Sequence, residues 1–143
     1  VAAEFLRVCR PGGTIAMGNW TPTGFVGKMF GVTAKHVPPP PGIPAPSLWG
    51  DENVVRQRFG GGAKQITCTR RMCDFSYPFP PAEVVQLFRT YFGPTKVAFS
   101  RLDASGQAAL AADLERMWSD YNQAKDGATL IPGEYLEVHV IRA

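Results

Sequence analysis

The segment Arg10-Pro11-Gly12-Gly13 constrains this chain most. Proline lacks the amide proton that a helix interior needs, and glycine accepts the left-handed turn that ends a helix, so no helix continues through this point. Before it, Val1, Phe5, Leu6 and Cys9 recur at helical spacing with Glu4 and Arg7 on the outside, the pattern of an amphipathic helix end. After it, Thr14 to Asn19 is a run of small and β-branched residues that reads as a buried strand. Helix, glycine turn and strand form the second half of a βαβ unit, which implies an α/β fold with a parallel sheet. No capping residue and no initiator methionine stand ahead of the helix, so we expect a piece of a larger gene product.

Length and charge then narrow the class. A chain of 143 residues with 45% hydrophobic residues can bury one core. Its +3 charge comes from Lys and Arg dispersed along the chain, with Arg70-Arg71 the closest pair. That spread argues against nucleic-acid binding, and no apolar run approaches the roughly 20 residues of a membrane span. Three cysteines, without a C-x-x-C pair or a signal-like start, point to a reducing cytoplasm. Cys68 and Cys73 are five apart and fall on opposite faces of a strand, which argues against a shared metal ion.

Further along, Thr21-Pro22 predicts a short, glycine-loosened helix that carries Phe25, Val26, Met29 and Phe30. His36 to Pro46 holds six prolines and reads as an extended surface loop. Ser47 to Gly60 predicts one helix with Val54, Val55 and Phe59 inward. Gly60-Gly61-Gly62 closes it and is no phosphate loop, because no Gly-Lys-Ser/Thr sequel follows. Lys64 to Tyr77 has mixed parity and suits a sheet edge. Pro81 to Gly93 is a helix ended by Gly93-Pro94, and Asp103 caps a longer one to about Ala124 with Leu110, Leu114, Met117, Trp118 and Tyr121 in the core. Glu134 to Arg142 alternates with period two and closes the chain as a strand.

With these elements in order, Glu4 to Gly13 followed by a short strand resembles the "leader helix, L-x-P-G-G, strand five" segment of class I S-adenosylmethionine-dependent methyltransferases. Asn19-Trp20-Thr21-Pro22 and the proline loop ending in Leu48-Trp49-Gly50 are similar to the methyltransferase type 11, or ubiquinone-biosynthesis-like, subgroup. The resemblance covers essentially the whole chain. It implies a partial Rossmann-like sheet, flanked by helices, in which Thr14 to Asn19 is strand five, Lys64 to Tyr77 strand six, and Glu134 to Arg142 an antiparallel strand seven between them. The family's glycine-rich cofactor loop and the acidic residue that grips the ribose are missing, and no G-x-G-x-G occurs. The resemblance therefore implies the carboxyl half of the domain, with S-adenosylmethionine serving the full-length family and none expected to bind this fragment alone.

Two expectations follow. Without strand four, the outer edge of Thr14 to Asn19 is open and calls for a partner: a second copy forming a homodimer, or a separate cofactor-binding half. Ligands in open α/β sheets sit beyond the carboxyl ends of parallel strands. This points to Asn19, Trp20 and Thr21 after one strand and Tyr77 and Phe79 after the next, with the proline loop folding His36 and Trp49 over them as a lid around a small-molecule acceptor. His36 could act as a general base, but a lone histidine beside a proline loop is more often a surface or packing residue, whereas pocket lining and packing suit the aromatics equally. Methyl transfer to an acceptor that is already nucleophilic needs positioning and no base. A non-catalytic, self-associating form of the same fold is the other reading.

Overall fold

In the computed structural model, which describes residues 1–143, helix α1 (Ala2–Val8) stops at Cys9. Gly12 takes a φ of 71° in the turn that leads to β1 (Thr14–Trp20), the left-handed conformation that the sequence demands there. The turn is tied to the far end of the chain. The Gly12 amide donates to the Arg142 carbonyl, the Arg142 amide to the Gly13 carbonyl, and the Arg142 guanidinium to the Cys9 carbonyl.

The closing strand β3 (Thr129–Arg142) lies between β1 and β2 (Ala63–Tyr77) and is antiparallel to both. The fold is thus α/β, a three-stranded antiparallel sheet flanked by helices. As expected, the closing strand is central and β2 takes an edge. β1 and β2 run the same way but never touch, so the expected parallel pairing does not occur within this chain. β1 has one strand neighbour, and its outer edge is open. β3 also starts five residues before the expected Glu134. Its first residues include Pro132 and Gly133, which hide a strand pattern. β1 ends opposite Tyr135, so Pro132 pairs with Asp74 on β2 alone, and proline is tolerated at such an edge.

Strand alternation builds a core on each face. On one face, α2 (Phe25–His36), α4 (Pro81–Tyr91), α5 (Gly93–Ser100) and α6 (Ala104–Tyr121) enclose 13 buried residues, Ile131 of the sheet among them. Trp118 is its centre, fully buried, with the rings of Phe25 and Phe88 edge-on at 4.7 and 4.9 Å. On the other face, α1 and α3 (Glu52–Phe59) cover 5 buried residues, Val55 and Phe59 against Leu136, Val138 and Val140, with Ile15, Met17, Ile66 and Cys68 at the margin. Cys68 therefore faces the smaller core, and Cys73 is exposed.

Several helix limits differ from the sequence reading. α2 begins at Phe25, because Thr21 turns its hydroxyl to Glu134 and holds the Gly24 amide. It then runs 12 residues despite its glycines. Gly27 is obligatory there, since a Cβ would lie 2.4 Å from the Pro22 carbonyl oxygen. The stretch from Ser47 to Gly60 is two elements, a 3-10 turn over Pro46–Gly50 and then α3, divided where Asp51 becomes extended and its carboxylate caps the Asn53 and Val54 amides. Gly93-Pro94 ends α4 but also opens α5, with proline in its first turn, an element the sequence reading missed. α6 is capped by Asp103 as expected and ends at Tyr121, three residues before Ala124, with Tyr121 at the surface beside Lys28.

Candidate functional site

The carboxyl end of β1 carries a compact polar cluster. Alternation sends Asn19 toward the smaller core, beside Ile15 and Met17, and Trp20 toward the larger one. Thr21 is completely buried. Its amide donates to the Glu134 carbonyl and its hydroxyl donates to Glu134 Oε1 at 2.7 Å, while the same hydroxyl accepts the Gly24 amide at 3.0 Å. Arg70 Nη1 donates to that Oε1 as well, at 2.7 Å. One carboxylate of the central strand thus holds the end of β1, the approach to α2 and a cation of β2. Sequence reasoning missed Glu134 and Arg70. They meet because Met72 pairs with Glu134 and Arg70 with Leu136, a diagonal neighbourhood that only the strand register reveals.

The 3-10 turn closes over the same strand end. A Cβ on Gly50 would lie 2.1 Å from the Trp20 carbonyl oxygen, so only glycine permits this approach. Trp49 is thereby set on the smaller-core side, its ring 6.1 Å from Phe59 and under the Arg58 guanidinium at 4.2 Å. Trp49 and Arg58 line a pocket of about 450 Å³ with Ala2, Ala3, Pro44 and Pro46. Two buried side-chain polar atoms make no hydrogen bond, Asn19 Nδ2 and Arg58 Nη1. Each is an N–H donor on this side of the sheet, and an unmade buried donor costs about 1–3 kcal/mol.

The remaining expected site residues lie elsewhere. Trp20 packs on Phe75 at 5.3 Å and Tyr135 at 6.2 Å. Tyr77 and Phe79 lie 5.5 Å apart against the larger core, and burial pushes the Tyr77 hydroxyl up from its ordinary pKa. His36 is not in a lid over the strand ends. It is the last residue of α2, and its Nε2 lies 2.8 Å from Asp113 Oδ2 on α6. That hydrogen bond, with Arg116 alongside, holds the Asp113 carboxyl below the usual carboxylate range. The proline loop does not fold over Tyr77 and Phe79. It leaves α2 on the larger-core side and delivers Trp49 to the other, so Asn19, Thr21 and Trp49 gather around the end of β1 while Trp20, His36, Tyr77 and Phe79 serve the opposite layer. Strand parity and the route of the loop are the physical causes.

No three His, Cys, Asp or Glu side chains converge as a metal site, and no helix is long and apolar enough to cross a membrane. No protein-family model matches the chain. It is 35% identical over 117 residues to the uncharacterized protein Rv1405c of Mycobacterium tuberculosis (strain ATCC 25618 / H37Rv), a match that covers 80% of this chain and 42% of that protein. The uncharacterized protein Mb1440c of Mycobacterium bovis (strain ATCC BAA-935 / AF2122/97) matches with the same figures. The uncharacterized protein Rv1403c of Mycobacterium tuberculosis is 32% identical over 115 residues, with the same coverage. The chain therefore spans about 42% of the length of the curated relatives it matches.

Proposed function

We propose that this chain is the substrate-side half of a class I S-adenosylmethionine-dependent methyltransferase that acts on a small-molecule acceptor. The observation that supports this reading is the strand arrangement. Two strands of the same direction are separated by the chain's last strand, which runs against both, and the helix, Pro-Gly-Gly turn and strand stand at the open side. The resemblance implies this partial Rossmann-like order, in which β1, β3 and β2 take the places of strands five, seven and six. The acceptor then sits beyond the end of β1, near Asn19, Thr21 and Trp49, and the methyl donor is bound by a half that this chain does not supply. The open edge of β1 is where that half, or a second copy of this chain, adds a strand.

Catalysis here requires orientation of the acceptor in a dry site. Glu134 and Thr21 fix the geometry of the strand end that would present it. Calorimetry tests the reading. S-adenosylmethionine should give no binding heat with this chain alone and saturable binding with the full-length Mycobacterium tuberculosis relative Rv1405c. Absence of binding to that relative removes the reading, and tight binding to this chain alone removes the division into halves. Light scattering after size exclusion separates the two partners proposed for β1, since a second copy doubles the mass.

A further inference from the structure

The two edges of the sheet are built differently. β2 carries Lys64, Arg70, Arg71 and Asp74 and a break in register between Ala63 and Gln65, features that keep a strand edge from pairing with another chain. β1 has no charged side chain, no proline and an unbroken register with β3. An open edge with none of these safeguards is a surface to be covered. Backbone direction shows which of its groups are open. Gly13 accepts from the Arg142 amide and Thr21 donates to the Glu134 carbonyl, so the odd-numbered residues of β1 turn their backbone groups to β3. Thr14, Ala16, Gly18 and Trp20 turn theirs outward. Gly50 already rests on the Trp20 carbonyl, which leaves Thr14, Ala16 and Gly18, all exposed.

We propose that a second copy of this chain closes the edge by antiparallel pairing of β1 with β1 about a two-fold axis at Ala16. The outward groups are symmetric about Ala16, so the copy presents their complement: Ala16 faces Ala16, and Thr14 faces Gly18. On the smaller-core face this register sets Ile15 opposite Met17, two half-buried apolar residues at the margin of that core. A register centred on Met17 would instead bring Ile15 against Asn19 and would need the covered Trp20 carbonyl. With no charge on β1, no like charges meet across the axis. The pairing uses up both β1 edges and leaves only the guarded β2 edges, so assembly stops at two. The inference rests on the open edge of the proposed function and commits it, for this chain, to the second copy.

Light scattering after size exclusion should give twice the 15.6 kDa of one chain. Ala16→Pro removes an outward amide and spares the ladder to β3, and it should return the mass to a single chain. Ala16→Glu sets two like charges at the axis and should do the same, so it decides if circular dichroism shows that the proline variant does not fold. Thr67→Glu, the same charge on the exposed opposite edge, should leave the doubled mass unchanged. Register is read by Ala16→Cys in a Cys73→Ser background, because facing residues of a hydrogen-bonded pair lie about 5.5 Å apart at Cα, within disulfide reach. Mild oxidation should link the two copies, and the background alone should stay unlinked. A single-chain mass for the parent, open-ended assembly, a doubled mass in folded Ala16→Pro or Ala16→Glu, or an Ala16→Cys pair that does not link overturns the proposal. A single-chain mass leaves the methyltransferase reading standing, since that is decided by S-adenosylmethionine binding to the relative.

Discussion

The two faces of the sheet solve different problems. The larger core packs Trp118 against Phe25, Phe75, Tyr77 and Phe88, and its peripheral polar groups are paired, as His36 with Asp113 and Lys28 with Tyr121. The smaller core has 5 buried residues against 13, with two short helices over three branched residues of β3. On its side lie the unmade donors Asn19 Nδ2 and Arg58 Nη1 and the Trp49 pocket. A layer that has satisfied its own packing and hydrogen bonds is a scaffold. Unsatisfied donors and an apolar hollow persist where a ligand or partner completes them.

This contrast can be broken by mutation. Trp118→Ala should cost about 3–5 kcal/mol in chemical denaturation, because a fully buried aromatic at the centre of the larger core leaves a cavity its neighbours cannot fill. Leu136→Ala, buried to the same extent under the smaller core, should cost about 2–3 kcal/mol, the low end for such a truncation, since short helices collapse more readily. If the second loss equals the first, the division into scaffold and site fails. Asp51→Ala should cost about 1 kcal/mol in the same denaturation measurement, by freeing the Asn53 and Val54 amides.

The smallest effect concerns pH on the scaffold side. Asp113 has a depressed folded pKa, chiefly from its hydrogen bond with His36, so its contribution is present above the unfolded carboxylate value and is lost as pH falls through the folded one. Thermal melting followed from about pH 5 down to about pH 2 should show a shallower acid limb in Asp113→Asn than in the parent. A superimposable limb would mean that the link between α2 and α6 adds nothing to acid stability.

Local chemistry explains which elements were legible. Pro11-Gly12-Gly13, the Asp103 cap, the apolar stripe of α6 from Leu110 to Trp118 and the period-two tail of β3 act within a few residues, and each is found where it was expected. Two of the limits that differed depend on distant groups. Thr21 prefers the Glu134 carboxylate to capping a helix, and Pro132 is tolerated because β1 has already ended.

The candidate site divides in the same way. Asn19, Thr21 and Trp49 could be named from their places after a strand and in a loop, whereas Glu134, Arg70 and Arg58 could not, since register and packing bring them there. By itself the sequence determined the types of most elements, the break at Arg10-Pro11-Gly12-Gly13 and most of the apolar faces, because propensity and periodicity are short-range. Tertiary structure alone decided which face each site residue joined and which donors stayed unpaired. Those are properties of register and of the path of the proline loop, and no local stretch of residues contains them.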